Sequence, residues 1–426
     1  MNLVCKSLLS FLFIAIFSDQ LEAQSRPSAG KLITALDEQD PAVQLYISRS
    51  LSRLGDKALP ALVAGLDNPD QATQWAIAVA ISDYEEKAFS SLTPLLDSSN
   101  PFLKRGAIMC FGAIGKKADS FVPKILPNLQ NPNLTIKAAS IFALGQMGEK
   151  SAPAIPTLIE EIKNPIRGMQ SPDDVPLAGV AVAALGAIGE PAIIPLCIAL
   201  NDKSNDALRE NALGAFSEMG EKALPALPNI IEAMNDKVFV VRMRAIFTLG
   251  DIGEKAAETI PQIRKILMEA IGSNKSARDD IEEAATYALS QMGESGVAPL
   301  REALKIAKDL EKIYLLRALG EIGPKAAVSV PDLIQELNNP DFRIFYAATF
   351  ALGEIGEAAS PAVPKLIEMM KDNQRTWGAV EALGNIGPKA SAVLPRLKFL
   401  LSIGEDGQMK KHILEAIKKI SAGDVK

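Results

Sequence analysis

The sequence predicts an all-α repeat solenoid of about eleven antiparallel helix pairs, and three observations carry that expectation. A glycine-closed phrase of the form A-L-G-x-I-G recurs along the chain. Its spacing is near one helix pair, and alanine, leucine and isoleucine dominate between copies. A hydrophobic content of 48% with only 5% aromatic residues suits amphipathic helices that bury an apolar stripe.

The phrase appears as Phe111-Gly112-Ala113-Ile114-Gly115, Leu144-Gly145-Gln146-Met147-Gly148, Leu185-Gly186-Ala187-Ile188-Gly189 and Leu249-Gly250-Asp251-Ile252-Gly253. It returns as Leu319-Gly320-Glu321-Ile322-Gly323, Leu352-Gly353-Glu354-Ile355-Gly356 and Leu383-Gly384-Asn385-Ile386-Gly387. Degenerate copies end at Gly55, Gly220 and Gly293, with another expected near Ser82–Tyr84. From Gly115 the second glycines are spaced 33, 41, 31, 33, 40, 30, 33 and 31 residues apart, so a period of 31–33 has two longer exceptions.

Each unit reads as two helices. A prolyl start such as Ala152-Pro153-Ala154-Ile155-Pro156 opens the first, because a proline near a helix start loses no intrahelical hydrogen bond. Turns such as Asn68-Pro69-Asp70, Asn131-Pro132-Asn133 and Asn339-Pro340-Asp341 close it. In the second helix apolar residues recur at helical spacing, as in Ile136, Ile141, Leu144 and Met147. The first glycine allows close approach of a neighbouring helix, and the second suits a positive-φ cap. One pair cannot bury its stripe alone, so each needs a neighbour, and no linker divides the array into separate domains.

The N-terminus differs. Lys6 precedes the apolar run Leu8–Phe17, and Ala23 follows a short polar stretch, the order of a secretory signal peptide cleaved near Ala23–Gln24. Residues 1–23 are therefore read as the signal peptide and 24–42 as a lead-in and capping segment. The solenoid then covers 43–421, with a short tail at 422–426. Export to a bacterial periplasm or the cell surface is the expected location. Cys110 and Cys197 lie among apolar helical residues of different repeats, where they read as small buried hydrophobes without a disulfide.

A formal net charge of −6, from 45 basic and 51 acidic residues spread along the chain, argues against a nucleic-acid binder. There is no phosphate-binding G-x-x-x-x-G-K-[ST] loop. The sole histidine, His412, lies far from both mature cysteines in sequence, so no Cys-His or Ser-His-Asp set is identified and neither catalytic residues, metal nor cofactor is assigned. Paired acids such as Glu160-Glu161 and Asp173-Asp174 read first as solvated surface, with carboxylate catalysis as the alternative.

The repeat phrase resembles HEAT repeats, specifically the short phycobilisome-lyase-like variety with the pattern V-R-x-x-A-A-x-A-L-G-x-I-G after an Asp/Asn-Pro turn. The resemblance covers about residues 43–421 and implies a right-handed superhelical, armadillo-type stack. It also implies a range of functions: scaffolds, adaptors, chromophore lyases and an iron-dependent hydroxylase. The hydroxylase's repeated His-Glu metal pairs have no counterpart here, because His412 stands between Lys411 and Ile413. A lyase role sits poorly with an export signal. The family's basic residue, eight positions before the first glycine, is matched by Lys104, Lys137, Arg209, Arg242 and Lys312, but not in every copy. Such side chains either cap neighbouring carbonyls or face a ligand.

Two features suggest a partner. The longer intervals carry insertions at about 164–176, with Arg167, Met169, Asp173 and Asp174, and at 271–280, with Lys275, Arg278, Asp279 and Asp280. Both fall between the two helices of a unit and are candidate binding loops, unless they are tolerated length variation. Aromatic residues in second helices are Trp75, Phe142, Phe247, Tyr287, Phe350 and Trp377. Phe142, Phe247, Tyr287 and Phe350 stand three before the first glycine, which makes them a surface stripe or inter-repeat core. The leading expectation is an exported non-enzymatic scaffold that binds protein partners, in assembly or maintenance of an envelope complex. An enzyme or enzyme subunit and a polysaccharide-binding module are the alternatives.

Overall fold

The computed structural model describes residues 47, 50, 51, 55–163, 177–271, 278–308, 310–403 and 407–422. The signal-peptide and lead-in expectations, and the insertion at 164–176, lie outside these residues, as does most of the insertion at 271–280. The described residues carry helices and turns with no strand. By its contacts the chain divides into two compact units, Met1–Ala215 and Phe216–Lys426. The division falls inside a continuous helix rather than at a linker.

Each repeat ends in a long second helix, and these are numbered here in chain order. In unit 1 they are α1 (Gln71–Ser82), α2 (Pro101–Ile114), α3 (Leu134–Met147) and α4 (Leu177–Ile188), with α5 (Asp206–Met219) at the division. In unit 2 they are α6 (Phe239–Ile252), α7 (Arg278–Gln291), α8 (Leu310–Ile322), α9 (Phe342–Ile355), α10 (Asn373–Ile386) and α11 (Gly407–Ser421). Within unit 1, α1 to α4 pack side by side in sequence order, as α6 to α11 do within unit 2. The first-layer helices are shorter. Apart from Glu294–Ile306, those described follow a 3-10 turn, as Ile155–Ile162 follows Gly148–Ala154, and Pro156 sits in its first turn.

The turns start α1, α2, α3, α9 and α10 by side-chain capping. Asn100 Oδ1 accepts the Phe102 N–H at 2.9 Å, and Asp341 Oδ1 accepts that of Arg343 at 2.8 Å. The first Asn of the Asn-Pro-Asx turn braces the turn itself. Asn68 Oδ1 accepts the Asp70 N–H at 2.8 Å, and Asn131 Oδ1 accepts that of Asn133 at 2.9 Å. The two glycines divide the labour as their spacing implies. A Cβ on Gly112 would lie 2.9 Å from the Ala143 Cα of α3, so only glycine lets α2 and α3 approach this closely. Gly115 ends α2 at φ +69°, where a side chain is strained.

In the repeat expected to end near Ser82–Tyr84, the positive-φ position is held by Glu85, at φ 51°. Glu85 is the one non-glycine residue among those described that adopts such a conformation. Its carboxylate pairs with Lys117 of the next repeat at 2.6 Å. Similar exposed links join Lys87 to Asp56, Lys150 to Asp119 and Lys389 to Glu357. Each exposed pair contributes at most ~1 kcal/mol.

The core lies between the two helix layers. Ile108, Phe111, Ile141, Leu144 and Leu185 are fully buried in unit 1, as are Phe345, Leu352 and Leu383 in unit 2. Each such side chain contributes about 2 kcal/mol by leaving water. Cys110 belongs to this core, and burial pushes its thiol far up. Cys197 is only partly buried.

Candidate protein-binding groove

The groove in unit 1 begins with a buried polar lock. Arg105 on α2 is 5% exposed. Its Nε donates to Gln74 Oε1 at 2.6 Å, and its Nη2 donates to the carbonyls of Pro69 at 2.8 Å and Asn68 at 3.3 Å. Gln74 Nε2 donates to the carbonyls of Leu66 at 2.6 Å and Phe102 at 2.8 Å. The Asn-Pro-Asp turn is thereby tied to α1 and α2. A buried network satisfied in this way rigidifies what it joins. Asp70 Oδ2 accepts the Thr73 N–H at 2.6 Å, and its bonds to Thr73 hold its carboxyl below the usual range.

On this frame α1 to α4 form a cavity of about 280 Å³. Trp75, Met109, Phe142 and Val180 make its apolar walls, Ala138 and Ala139 line it from α3, and Gln71, Arg105 and Thr135 supply polar edges. Trp75 and Phe142, from helices that are not sequence neighbours, meet edge to face with ring centroids 5.2 Å apart. Trp75 stays 39% exposed, so its ring is a wall open to solvent. α1 and α4 carry no charged residue, and α2 and α3 carry only Lys104, Arg105 and Lys137. The α4 surface is small and flat where Gly179, Ala183 and Ala187 are exposed.

The basic positions are placed as follows. Lys137 Nζ pairs with Glu161 at 2.5 Å, and Lys312 Nζ with Glu336 at 2.5 Å, each reaching the following first-layer helix. Arg209 is fully buried, donating to the Asp202 carbonyl and to Asp206 Oδ1, both at 2.9 Å. Arg242 Nη1 donates to the Asp236 carbonyl at 2.8 Å. Lys104 is half-exposed on α2. The repeat register drew attention to Lys104, whereas the lock uses its neighbour Arg105. Arg375 plays a comparable part in unit 2, donating to the carbonyls of Leu337 at 2.6 Å and Asn339 at 2.8 Å.

The aromatic positions of unit 2 have polar surroundings. Tyr287 Oη donates to Asp251 Oδ1 at 2.6 Å, and Ser217 Oγ donates to the other carboxylate oxygen. Burial, and then the Asp251 carboxylate, push the Tyr287 hydroxyl up to about 12. Phe247 packs at 5.4 Å from the Tyr287 ring. Phe350 is 44% exposed on α9, and Trp377 packs against the sole histidine, His412, with ring centroids 4.4 Å apart and the planes tilted by 44°. Glu321, Glu354 and Glu381 are exposed on α8, α9 and α10.

Of the candidate loop residues, Arg167, Met169, Asp173, Asp174 and Lys275 lie outside the described residues. Arg278 and Asp279 open α7, and Asp280 is exposed on it. Among the described residues no group of three His, Cys, Asp or Glu side chains is gathered to hold a metal ion.

Comparison with known proteins agrees with this architecture. A family profile of HEAT repeats matches residues 29–112, and one of the PBS lyase HEAT-like repeat matches residues 344–372. No curated protein matches the chain by sequence. Among solved structures, importin beta in an ammonium sulfate condition is 14% identical with a TM-score of 0.53, over 92% of this chain and 61% of that one. Yeast importin-beta is 14% identical, with a TM-score of 0.48 over 93% of this chain and 68% of that one. An engineered protein is 17% identical, with a TM-score of 0.35 over 85% of this chain and 99% of that one. The likeness to the first importin beta is one of fold, and this chain spans less than two thirds of its length. Residues 29–112 and 344–372 thus match HEAT-type repeats, and the glycine-closed helix pair that these stretches share recurs through the described residues of both units.

Proposed function

We propose that this HEAT-repeat solenoid is an exported, non-enzymatic scaffold that holds a protein partner in the groove of α1 to α4 and serves an envelope complex. The observation that carries the reading is the cavity of about 280 Å³, walled by Trp75, Met109, Phe142 and Val180 and edged by a single charged side chain, the locked Arg105. Apolar anchors set in a preformed pocket dominate protein–protein affinity. A half-exposed Trp75 against Phe142 offers such a pocket to an apolar side chain of the partner. Large exposed apolar patches on a helical surface commonly mark an interaction site. Export rests on the order of charged, apolar and small residues at positions 1–23.

The test is capture from an envelope fraction with the wild-type chain and with Met109→Glu, whose charge enters the cavity wall. A protein that co-purifies with wild type and is lost with Met109→Glu supports the reading. Equal recovery by both chains overturns it. N-terminal sequencing of the native protein checks export separately: a mature chain starting near Gln24 is expected, and an intact Met1 contradicts it.

A further inference from the structure

We propose that the helix Leu394–Ser402 and α11 dock on an anionic phospholipid surface, a contact independent of the groove in unit 1. In sequence they carry Arg396, Lys398, Lys410, Lys411, Lys418 and Lys419 against Glu415, with Glu405 and Asp406 between the two helices, a local excess of cations in a chain whose net charge is −6. Lys419 is occupied, with Asn385 at 2.9 Å and Glu415 at 3.4 Å. The other five cations engage no carboxylate among the described residues.

Register explains what α11 presents. A Cβ on Gly384 of α10 would lie 3.0 Å from the Ala416 Cα, so Ala416 stands against α10 as Ala351 of α9 stands against Gly320 of α8. Two residues after Ala351 comes the interface glycine Gly353, but two after Ala416 comes Lys418. Two residues before Ala382, its counterpart in α10, Val380 is fully buried, but the matching Leu414 is 50% exposed. Lys410, Leu414 and Lys418 are spaced by four and form one stripe along α11. No further described helix covers that side.

The preceding helix, Leu394–Ser402, adds Phe399 at 51% exposure, with the Arg396 guanidinium 5.5 Å from its ring centroid. Ile403, just beyond, is 58% exposed. A helix face that served only to meet solvent would be polar and charge-mixed. This one interleaves long cationic side chains with large apolar ones. That chemistry matches a bilayer surface: lysine and arginine meet the phosphates, and phenylalanine, isoleucine and leucine enter the headgroup–acyl boundary. An acidic protein would satisfy the cations but leave the apolar residues unexplained.

The experiment uses the purified full chain in sedimentation with vesicles of phosphatidylcholine alone or with about 30 mol % phosphatidylglycerol. At least about tenfold tighter binding to the anionic vesicles is expected, falling as salt rises from about 0.1 to about 0.5 M. Lys410→Glu with Lys411→Glu should lower that binding by about tenfold or more. Phe399→Ser with Leu414→Ser should lower it several-fold, and Lys117→Glu, in unit 1, should leave it unchanged. All five positions are at least half-exposed or polar, and helical circular dichroism confirms that each variant is folded. Equal binding to both vesicle types, insensitivity to the charge reversal, or binding of soluble polyglutamate without binding of vesicles overturns the proposal. Met109→Glu retains vesicle binding, so failure here is distinguishable from failure of the groove.

Discussion

Three residues before the interface glycine, or before the Ser290 that stands in its place on α7, unit 1 places Met109, Phe142 and Ala183, whereas unit 2 places Phe247, Tyr287, Arg317, Phe350 and Glu381. One residue after that glycine, unit 1 has Ala113, Gln146 and Ala187. Unit 2 has Asp251, Gln291, Glu321, Glu354 and Asn385 at the same place. The packing frame is shared, since a Cβ on Gly112 or on Gly320 meets an alanine Cα at the same 2.9 Å. What differs is the outward row of the second helices, which in unit 1 carries no charge at these positions and in unit 2 adds Asp251, Glu321, Glu354 and Glu381 beside its aromatic residues. The repeat therefore fixes how helices stack and leaves the face of each unit free to specialise. In unit 1 that freedom produced a cavity, and in unit 2 it produced a polar ladder through Ser217, Asp251 and Tyr287.

The largest expected effect tests the shared frame. Gly112→Val and Gly320→Val should each cost about 2–3 kcal/mol in urea unfolding, because neither helix pair can admit a branched side chain. A cost near zero in one unit would show that the frames are not equivalent. Next comes the difference in faces. Trp75→Ala should weaken partner binding by about tenfold or more, ~2 kcal/mol, while Trp377→Ala, at a ring packed against His412, should leave it unchanged. Comparable losses from both would remove the distinction between units.

Tyr287→Phe probes the polar ladder. Loss of the bond to Asp251 should destabilise the chain by ~1 kcal/mol at neutral pH. Because the folded state raises the Tyr287 hydroxyl to about 12, above its usual value near 10, its contribution is complete below about pH 10. That contribution is lost as pH climbs toward 12, because the unfolded chain ionises first. Wild type should thus lose stability more steeply than Tyr287→Phe between these values, and parallel profiles would contradict the assignment. The smallest effect is local. Glu85→Gly should gain up to ~1 kcal/mol in thermal unfolding, since glycine relieves the positive-φ strain and the exposed Lys117 pair contributes little.

The stack was legible because its determinants are local and periodic. Glycine spacing, prolyl starts and Asx turns state helix ends directly, and Gly115 and Asp341 behave as that grammar implies. Glu85 was hidden because it takes a glycine's conformation without being glycine, so the turn lies just beyond the expected Ser82–Tyr84. Arg105 was hidden by register, since its role depends on Gln74 and two carbonyls that α1 and its turn bring within reach. The aromatic residues were visible one by one, but not their grouping. Trp75 and Phe142 meet only because α1 and α3 are held on either side of α2, which no single repeat reveals. The charge excess at 394–422 was diluted in a count over the whole chain, and the exposure of Leu414 follows only once α11 is set against α10.

Site-specific photo-crosslinking in the envelope tests the central claim most directly, with the photoreactive residue placed at Gln71 on the rim of the groove or at Phe350 on the acidic row of unit 2. One protein species should be crosslinked from Gln71, it should disappear when Met109→Glu is added, and Phe350 should not label it. Equal labelling from both positions, or labelling from Gln71 that survives Met109→Glu, would contradict the assignment of the groove as the site that holds the partner.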